Sequence, residues 1–269
     1  MSRRVVLVTG AARGQGRSHA LRFASLGADL LLVDRCEDVP EIPYRMSTPL
    51  ELAQTAQEAR SLGAEVVTGQ IDVRDGPAMK EFVDRAASRL GRLDVVIANA
   101  GVYAFGPLSS LEIDDLRWNE VIGTNLTGVF HTIRATAPHI ISGGRGGAIV
   151  ITSSTAARRG MHSMADYTAS KHGVLGLMRT FANELAQYSI RVNAVAPTGV
   201  ATPMVQNAEL ERWYTKYPEM AANDSGNMLP VELIEAADIT NAVVWLASDE
   251  ARYVTGVDFP VDAGLRERA

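Results

Sequence analysis

Short apolar runs alternate with longer amphipathic stretches along most of the chain. The runs are rich in Val, Ile and Leu, which is typical of strands that a parallel sheet buries on both faces. Seven of them are predicted as strands, at residues 5–9, 29–34, 65–71, 93–98, 148–152, 190–196 and 257–261.

The stretches between these runs have helical periodicity. We predict helices at residues 17–26, 49–62, 76–90, 114–138, 165–188 and 235–247, with a further helix opening at Thr202. The alternation of strands and helices implies right-handed crossovers and a doubly wound, three-layer α/β sandwich around a seven-stranded parallel sheet. We expect a single domain over residues 1–269.

The composition narrows the class of protein. The chain is 46% hydrophobic and 21% charged, which suits a globular protein with a substantial core. Its net charge of −5 argues against a nucleic-acid or anionic-membrane partner. The single cysteine, Cys36, excludes an internal disulfide and suits a reducing compartment. Because no apolar run matches a membrane span or a signal peptide, we expect a cytoplasmic protein, and no metal site is predicted.

The first strand leads into a glycine-rich turn that opens the first helix. Gly10, Gly14 and Gly16 let backbone amides approach a pyrophosphate at the helix N-terminus, where the helix dipole favours negative charge. Arg13 and Gln15 stand between them, and the spacing is GxxxGxG. Its place between a strand and a helix predicts a dinucleotide site.

Asp34 ends the second strand, 18 residues after Gly16. This is close to the spacing at which an acid binds the ribose diol of adenosine and repels a 2′-phosphate, so Asp34 favours NAD over NADP. Arg13 and Arg35 are the opposing signal, since either guanidinium could meet a 2′-phosphate.

Residues 35–48 are too long for an ordinary strand-to-helix connection. The segment carries two prolines and several acids, and it leaves the strand at the ligand side of the sheet. From loop physics alone, a tolerated surface insertion and a flap over the cofactor are evenly matched.

Small and polar residues follow the third and fourth strands. Asp72 and Val73 are placed to receive the adenine ring and its amino group. In the segment Asn99, Ala100 and Gly101, small residues allow close approach of adenosine while the asparagine amide pins the strand end.

Ser154, Tyr167 and Lys171 are candidates for acid–base chemistry. Tyr167 and Lys171 are four residues apart, so a helix places them on one face, one turn apart. An ammonium at about 4 Å would lower the phenol pKa by roughly three units at an effective dielectric near 20. This predicts proton exchange near neutral pH, with Ser154 holding the substrate oxygen. A surface helix with a chance YxxxK pattern is the alternative.

After the sixth strand, Pro197 begins a turn that reaches Val200. Thr202 is a candidate N-cap, or its hydroxyl binds a carboxamide. Residues 202–230 mix aromatic side chains and methionines with polar residues, and serve either as core or as the lid of an apolar substrate pocket.

The ordered set of motifs resembles the short-chain dehydrogenase/reductase family. It comprises TGAARGQG, Asp34, Asp72, NAG at 99–101, Asn125, Ser154, YxxxK at 167–171 and PTGVATPM at 197–204. The resemblance spans residues 5–264 and implies a Rossmann-type NAD(P)-binding domain that works as an alcohol dehydrogenase or ketone reductase, usually as a homotetramer.

The same resemblance implies residue roles. Tyr167 would be the catalytic acid/base, Ser154 would position the substrate oxygen, and Asn125 would hold a water in a proton relay. Lys171 would lower the pKa of Tyr167 and bind the nicotinamide ribose. Val200 and Thr202 would hold the nicotinamide carboxamide.

ARGQGRSHA at 12–20, the DRC with its insertion at 34–48, and SDEARYVTG at 248–256 are similar to the mycofactocin-coupled subfamily, which includes carveol dehydrogenases. Ala196 is a departure, since a histidine is frequent there in that subfamily. The likeness implies that the insertion covers a tightly held NAD, which passes its hydride to the peptide-derived carrier mycofactocin. The expected substrate is a terpenoid-like secondary alcohol or its ketone. A reductase with freely exchanging NAD(P) and a noncatalytic nucleotide-sensing module are the alternatives.

Overall fold

The computed structural model describes residues 3–220 and 226–267, and its strands form one parallel sheet in the order β3-β2-β1-β4-β5-β6-β7. The strands β1 to β7 are Val5–Thr9, Asp29–Asp34, Val66–Gln70, Val95–Ala98, Gly147–Thr152, Ile190–Pro197 and Asp258–Val261. The predicted seven-stranded, doubly wound fold is therefore confirmed. The chain reverses its winding between β1 and β4, which opens a crevice at the carboxyl ends of these two strands.

Eight helices that lie wholly within the described residues surround the sheet. In chain order, α1 to α8 are Gly14–Ser25, Pro49–Ser61, Gly76–Leu90, Asp115–Ile122, Gly128–Gly143, Ala165–Leu185, Ala208–Lys216 and Ala236–Ala247. Within this part of the chain, no helix has the length and apolar character needed to cross a membrane.

The predicted helix over 114–138 is wrong in two respects. It is divided into α4 and α5 by a π-helical segment, Gly123–Thr127, that contains Asn125. It also continues past Pro138 and ends at Gly144, whose φ of 63° stops the helix. The helix therefore ends at a left-handed glycine and not at the proline.

The core lies on both faces of the sheet because successive strand residues point to opposite sides. In β1, Val5 and Leu7 face the layer of α3, α5 and α6, while Val6 and Val8 face the layer of α1, α2 and α8. A third cluster sits over the carboxyl ends of the strands and joins the insertion, the loop after β4 and α7. This third cluster forms the walls of the candidate site.

Candidate active site

Three elements bring Ser154, Tyr167 and Lys171 together. Ser154 follows β5 and caps a short 3₁₀ turn, while Tyr167 and Lys171 occupy the first two turns of α6. The Ser154 hydroxyl lies near enough to the Tyr167 phenol to favour its ionised form. Lys171 is buried and donates from Nζ to the carbonyl of Thr152 at 2.9 Å. The predicted triad is therefore a contiguous cluster at the end of β5.

The pKa expectation for Tyr167 is not met. Burial raises the pKa of Tyr167 above its ordinary value, and the nearby Ser154 hydroxyl opposes this rise only in part. The Lys171 ammonium lies 5.5 Å from the ring centroid and is directed at the Thr152 carbonyl, so desolvation outweighs it. Burial also lowers the pKa of Lys171 to about 8.

Asn125 fixes the segment that follows β4. Its Oδ1 accepts from the Val102 amide at 2.8 Å, and its Nδ2 donates to the Val102 carbonyl at 2.9 Å and to Ser170 Oγ at 3.2 Å. The π-helical segment turns this side chain inward, a recurrent use of such bulges at functional sites. Binding of a relay water by Asn125 stays a prediction.

The glycine-rich turn is shaped for a phosphate. Gly10 and Gly14 have φ values of 66° and 55°, and a Cβ on Gly16 would lie 1.9 Å from the Gly10 carbonyl oxygen. The turn thus packs tightly against itself and opens α1 at Gly14, three residues earlier than predicted. Its backbone leaves a cradle at a helix N-terminus that fits a dinucleotide pyrophosphate.

The segment at 99–101 lies against that turn. Asn99 donates from Nδ2 to the Thr9 carbonyl at 3.0 Å and accepts from Thr152 Oγ1 at 3.1 Å, so its predicted pinning of the strand end is confirmed. A Cβ on Gly10 would lie 2.9 Å from Cα of Ala100. These close approaches align β1, β4 and β5 at the crevice.

Asp34 and Arg35 face the same crevice in different ways. Asp34 accepts hydrogen bonds from the Ala12 amide at 2.9 Å and the Ser47 hydroxyl at 2.5 Å. Arg35 is held by Glu120 Oε1 at 3.0 Å and Asp72 Oδ2 at 3.4 Å. The arginine is therefore neutralised by protein carboxylates, which removes it as a free partner for a 2′-phosphate.

Asp72 belongs to a network of charges at the end of β3. Arg74 donates to it from the backbone amide at 2.9 Å and from Nε at 2.8 Å. Burial alone would raise the pKa of Asp72, but the hydrogen bonds and charge of Arg74 hold it below its usual value. Arg74 also bonds Glu120, so one carboxylate of α4 serves both arginines.

The turn after β6 differs from its prediction. Thr202 is not a helix N-cap: its hydroxyl lies 3.3 Å from the Val200 carbonyl, and α7 begins only at Ala208 with Asn207 as the cap. The Val200 side chain packs into the core rather than the crevice. Thr202 itself borders the crevice. Its binding of the nicotinamide carboxamide stays a prediction.

One continuous crevice collects most of the predicted cofactor residues. Its lining includes Gly10, Arg13, Gly14, Gln15, Asp34, Arg35, Asp72, Val73, Asn99, Ala100, Gly101 and Thr202. The lining also includes residues that the sequence did not single out one by one, among them Glu120 and Thr124, and Tyr44, Met46, Ser47 and Met204 within the predicted flap and lid. Apolar side chains within the otherwise acidic insertion were the available signal for Tyr44 and Met46.

The insertion at 35–48 forms one wall of this crevice. Its Val39, Ile42 and Tyr44 side chains are buried in the third core cluster. Besides the Ser47 bond to Asp34, the insertion accepts at the Arg45 carbonyl from Arg13 at 2.7 Å. The segment is therefore folded against the crevice and is not a loose surface loop.

Aromatic side chains line the opposite side. The Tyr103 and Tyr167 rings meet edge-on with centroids 5.5 Å apart, and Phe105 lies 5.8 Å from Trp213 of α7. The described part of the predicted lid over 202–230 thus contributes α7 to the third cluster, while its residues 221–225 lie outside the described residues. Aromatic rings and methionines therefore pack around the Tyr167 ring on this side.

The short chain dehydrogenase family matches residues 4–213. The (−)-trans-carveol dehydrogenase of Rhodococcus erythropolis is 48% identical over 97% of this chain and 96% of its own length. A crystal structure of carveol dehydrogenase from Mycobacterium avium in complex with NAD has a TM-score of 0.93 and 48% identity, covering 98% of both chains. A short chain dehydrogenase from Mycobacterium paratuberculosis bound to NAD has a TM-score of 0.92 and 41% identity over 98% of both chains.

Together with the cluster of Ser154, Tyr167 and Lys171 beside a dinucleotide crevice, these matches show that the chain is an oxidoreductase and belongs to the short-chain dehydrogenase/reductase family.

Proposed function

We propose that this enzyme uses NAD to interconvert a hydrophobic, terpenoid-like secondary alcohol and its ketone, with Tyr167 as the acid/base. The observation that carries this proposal is that the Ser154 hydroxyl lies close to the Tyr167 phenol, with the buried Lys171 one helical turn away. A proton donor, an oxygen anchor and a cation thus meet at the edge of the dinucleotide crevice. Bound NAD supplies or accepts the hydride.

The roles of the side chains follow from their positions. The Ser154 hydroxyl binds the substrate oxygen beside the phenol. Tyr167 takes the hydroxyl proton during oxidation and returns it during reduction, a role that general acid–base catalysis makes worth roughly 100- to 10,000-fold in rate. Lys171 stabilises the ionised phenol and binds the nicotinamide ribose, and Asn125 holds the relay water.

The cofactor preference rests on charge. Asp34 would bind the ribose diol of adenosine and repel a 2′-phosphate, while Glu120 and Asp72 already neutralise Arg35. The two solved relatives described above contain NAD. The backbone cradle at Gly10 to Gly16 suits the pyrophosphate.

The substrate class rests on the apolar walls. Tyr103, Phe105 and Trp213 offer rings rather than charges to the substrate, and Met161 and Met204 pack against the same cluster. Such walls favour an alicyclic hydrocarbon skeleton over a charged acyl carrier. The two carveol dehydrogenases that are 48% identical to this chain are named for a substrate of this class.

Substitution of Tyr167 by Phe tests the acid/base role. Turnover of secondary alcohols with an artificial electron acceptor should fall at least roughly 100-fold, because the proton transfer is lost. Binding of NAD should persist, since the crevice is unchanged. Tyr188→Phe, at an exposed tyrosine, is the matched control. Substantial turnover in Tyr167→Phe would refute the mechanism.

The proposal includes tight retention of NAD and its recycling by mycofactocin, and the folded insertion supports the retention. Its contacts with Asp34 and Arg13 close one wall of the crevice, so cofactor exchange requires this wall to open. Heat denaturation of freshly purified protein should therefore release NAD(H). An empty protein that turns over well with added NADPH would instead favour the freely exchanging reductase.

The quaternary state and compartment complete the proposal. Phe130 stacks on Phe181 with the Arg134 guanidinium above its ring, and Phe130 is exposed, so α5 and α6 offer an aromatic face for a second copy in a homotetramer. The free, buried Cys36 suits the reducing cytoplasm.

A further inference from the structure

A buried ion pair lies directly beside the candidate catalytic tyrosine. Arg117 of α4 donates from Nε to Asp166 Oδ2 at 2.7 Å and from Nη2 to Oδ1 at 3.3 Å. The two side chains are 9% and 0% exposed. A guanidinium and a carboxylate joined in this forked geometry hold each other in a fixed orientation. The proposed reaction makes no use of either charge.

The same guanidinium binds two loops. Its Nη2 donates to the carbonyl of Ala104 at 3.1 Å and to that of Ser163 at 3.4 Å. Ala104 follows Tyr103, whose ring meets the Tyr167 ring edge-on. Ser163 lies in the turn before α6 and has a φ of 58°. Arg117 therefore connects α4, the loop after β4 and the start of α6.

Asp166 carries this connection to the tyrosine. Its Oδ1 accepts a hydrogen bond from the Tyr167 amide at 2.8 Å. Met164, the N-cap of α6, supplies no side-chain cap, so Asp166 provides both an acceptor and a favourable negative charge in the first turn. The backbone of Tyr167 is thus joined through the ion pair to the loop that carries Tyr103.

We propose that Arg117 and Asp166 are positioning residues that fix the Tyr167 phenol against the Tyr103 side of the substrate pocket. This inference rests on the proposed acid/base role of Tyr167. Replacing a buried ion pair by apolar residues often leaves stability unchanged, so the ion pair contributes chiefly geometry. A displacement of about 1 Å at a reacting group can cost roughly 100-fold in rate.

Two variants separate position from charge. Arg117→Met leaves the Asp166 carboxylate unpaired next to the backbone of Tyr167. Arg117→Met combined with Asp166→Asn removes both charges and keeps an oxygen for the Tyr167 amide. Arg117→Lys, which keeps the charge and loses the fork, serves if Arg117→Met does not fold. Arg92→Met is the matched control, because Arg92 forms a similar fork with Asp94 at the opposite, amino edge of the sheet.

The measurements are kcat, its pH dependence, the content of bound NAD(H) and the melting temperature. In the double variant kcat should fall about 10- to 100-fold with bound NAD(H) unchanged. In Arg117→Met the pH profile of kcat should shift to higher pH, because an unpaired carboxylate disfavours the phenolate. The double variant should regain the wild-type profile while kcat stays low. Lys171, Tyr44, Tyr103 and Ser154, which surround the phenol, are unchanged throughout.

The control should lose stability without a change in kcat per folded molecule. The positioning role is overturned if the kcat of the double variant lies within twofold of wild type. It is also overturned if the double variant and Arg92→Met lose kcat and stability to the same extent. Tyr167→Phe distinguishes the two levels of proposal. If that variant stays active, the proposed function fails; if it is inactive while the double variant works normally, only the positioning role fails.

Discussion

The Tyr44 hydroxyl accepts a hydrogen bond from the backbone amide of Tyr103 at 3.3 Å. This contact joins the insertion after β2 to the loop after β4. The Tyr103 ring then meets the Tyr167 ring, so the insertion reaches the candidate catalytic residue through a single intermediate. The wall that closes the nucleotide crevice and the wall of the substrate pocket are therefore mechanically connected.

Tyr44→Phe should accelerate release of bound NADH. The substitution keeps the buried ring and leaves the Tyr103 amide without this acceptor, a loss of about 1 to 2 kcal/mol that corresponds to roughly 5- to 30-fold in rate. Displacement of bound NADH by excess NAD, followed by fluorescence, measures the release rate. Tyr253→Phe, on the exposed surface, should release NADH at the wild-type rate. Equal NADH release rates in wild type, Tyr44→Phe and Tyr253→Phe would contradict a role of the Tyr44 hydrogen bond in NADH retention.

Glu120→Gln should weaken the preference for NAD over NADP. The amide keeps an oxygen for the Thr124 hydroxyl but withdraws the charge that holds Arg35. A charge-assisted contact contributes roughly 1.5 to 3 kcal/mol. Arg35, then held by Asp72 alone, should become more available to a 2′-phosphate, and the kcat/KM with NAD relative to that with NADP should fall about tenfold. Asp34 would still oppose NADP, which is why no complete reversal is expected.

The control for this prediction is Glu58→Gln, which removes an acid from the exposed pair with Arg17. Its cofactor preference should match that of wild type. If Glu120→Gln folded normally and the ratio of kcat/KM with NADP to kcat/KM with NAD did not change, Arg35 would have no part in cofactor discrimination.

The strands and the main chemistry could be predicted from local patterns. Val5–Thr9 and Asp29–Asp34 have the predicted bounds because a buried parallel strand is continuously apolar. The YxxxK spacing alone predicts that Tyr167 and Lys171 share one face of a helix, since four residues form about one turn. These features depend on residues that are neighbours in sequence.

The features that could not be predicted depend on distant residues. Glu120 is one of several acids near α4, and only the fold shows that it is buried between Arg35 and Arg74. The Arg117–Asp166 pair joins positions 49 apart in sequence. The predicted direction of the Tyr167 pKa shift was wrong. Burial raises this pKa, and the YxxxK spacing does not encode burial. The Lys171 ammonium is directed at the Thr152 carbonyl and does not offset the rise.

Lys171→Met should change how stability depends on pH. Burial lowers the pKa of Lys171 to about 8 from an ordinary 10.5, so below pH 8 the folded state bears the full cost of the buried charge. Between pH 8 and 10.5 only the unfolded state keeps the proton, and stability therefore rises with pH. The free energy of unfolding of wild type, relative to Lys171→Met, should increase by roughly 2 kcal/mol from pH 8 to pH 10.

Urea unfolding at the two pH values measures this difference. Lys80→Met, at an exposed lysine of α3, should follow the pH dependence of wild type. Turnover of Lys171→Met should fall at least roughly 100-fold, because the cation that supports the phenolate is lost. If the free energies of unfolding of wild type and Lys171→Met changed equally with pH, burial of the Lys171 ammonium would carry no cost in stability.

His19 should make the protein sensitive to acid. The side chain is fully buried between α1 and α8, with Nδ1 2.8 Å from Thr240 Oγ1, and burial lowers its pKa to about 3. An unfolded histidine titrates near 6.5, so the stability linked to the neutral ring is intact above pH 6.5 and is lost as the pH falls toward 3. This loss amounts to roughly 3 kcal/mol by pH 4.

His19→Gln keeps a polar partner for Thr240 and cannot take up a proton. We expect it to be somewhat less stable than wild type at pH 7, because the smaller side chain packs imperfectly. Its free energy of unfolding should then decline by roughly 3 kcal/mol less than that of wild type between pH 7 and pH 4. His172→Gln, at an exposed histidine of α6, should decline as wild type does. An equal decline in wild type and His19→Gln would mean that the buried ring is not what acid protonates on unfolding.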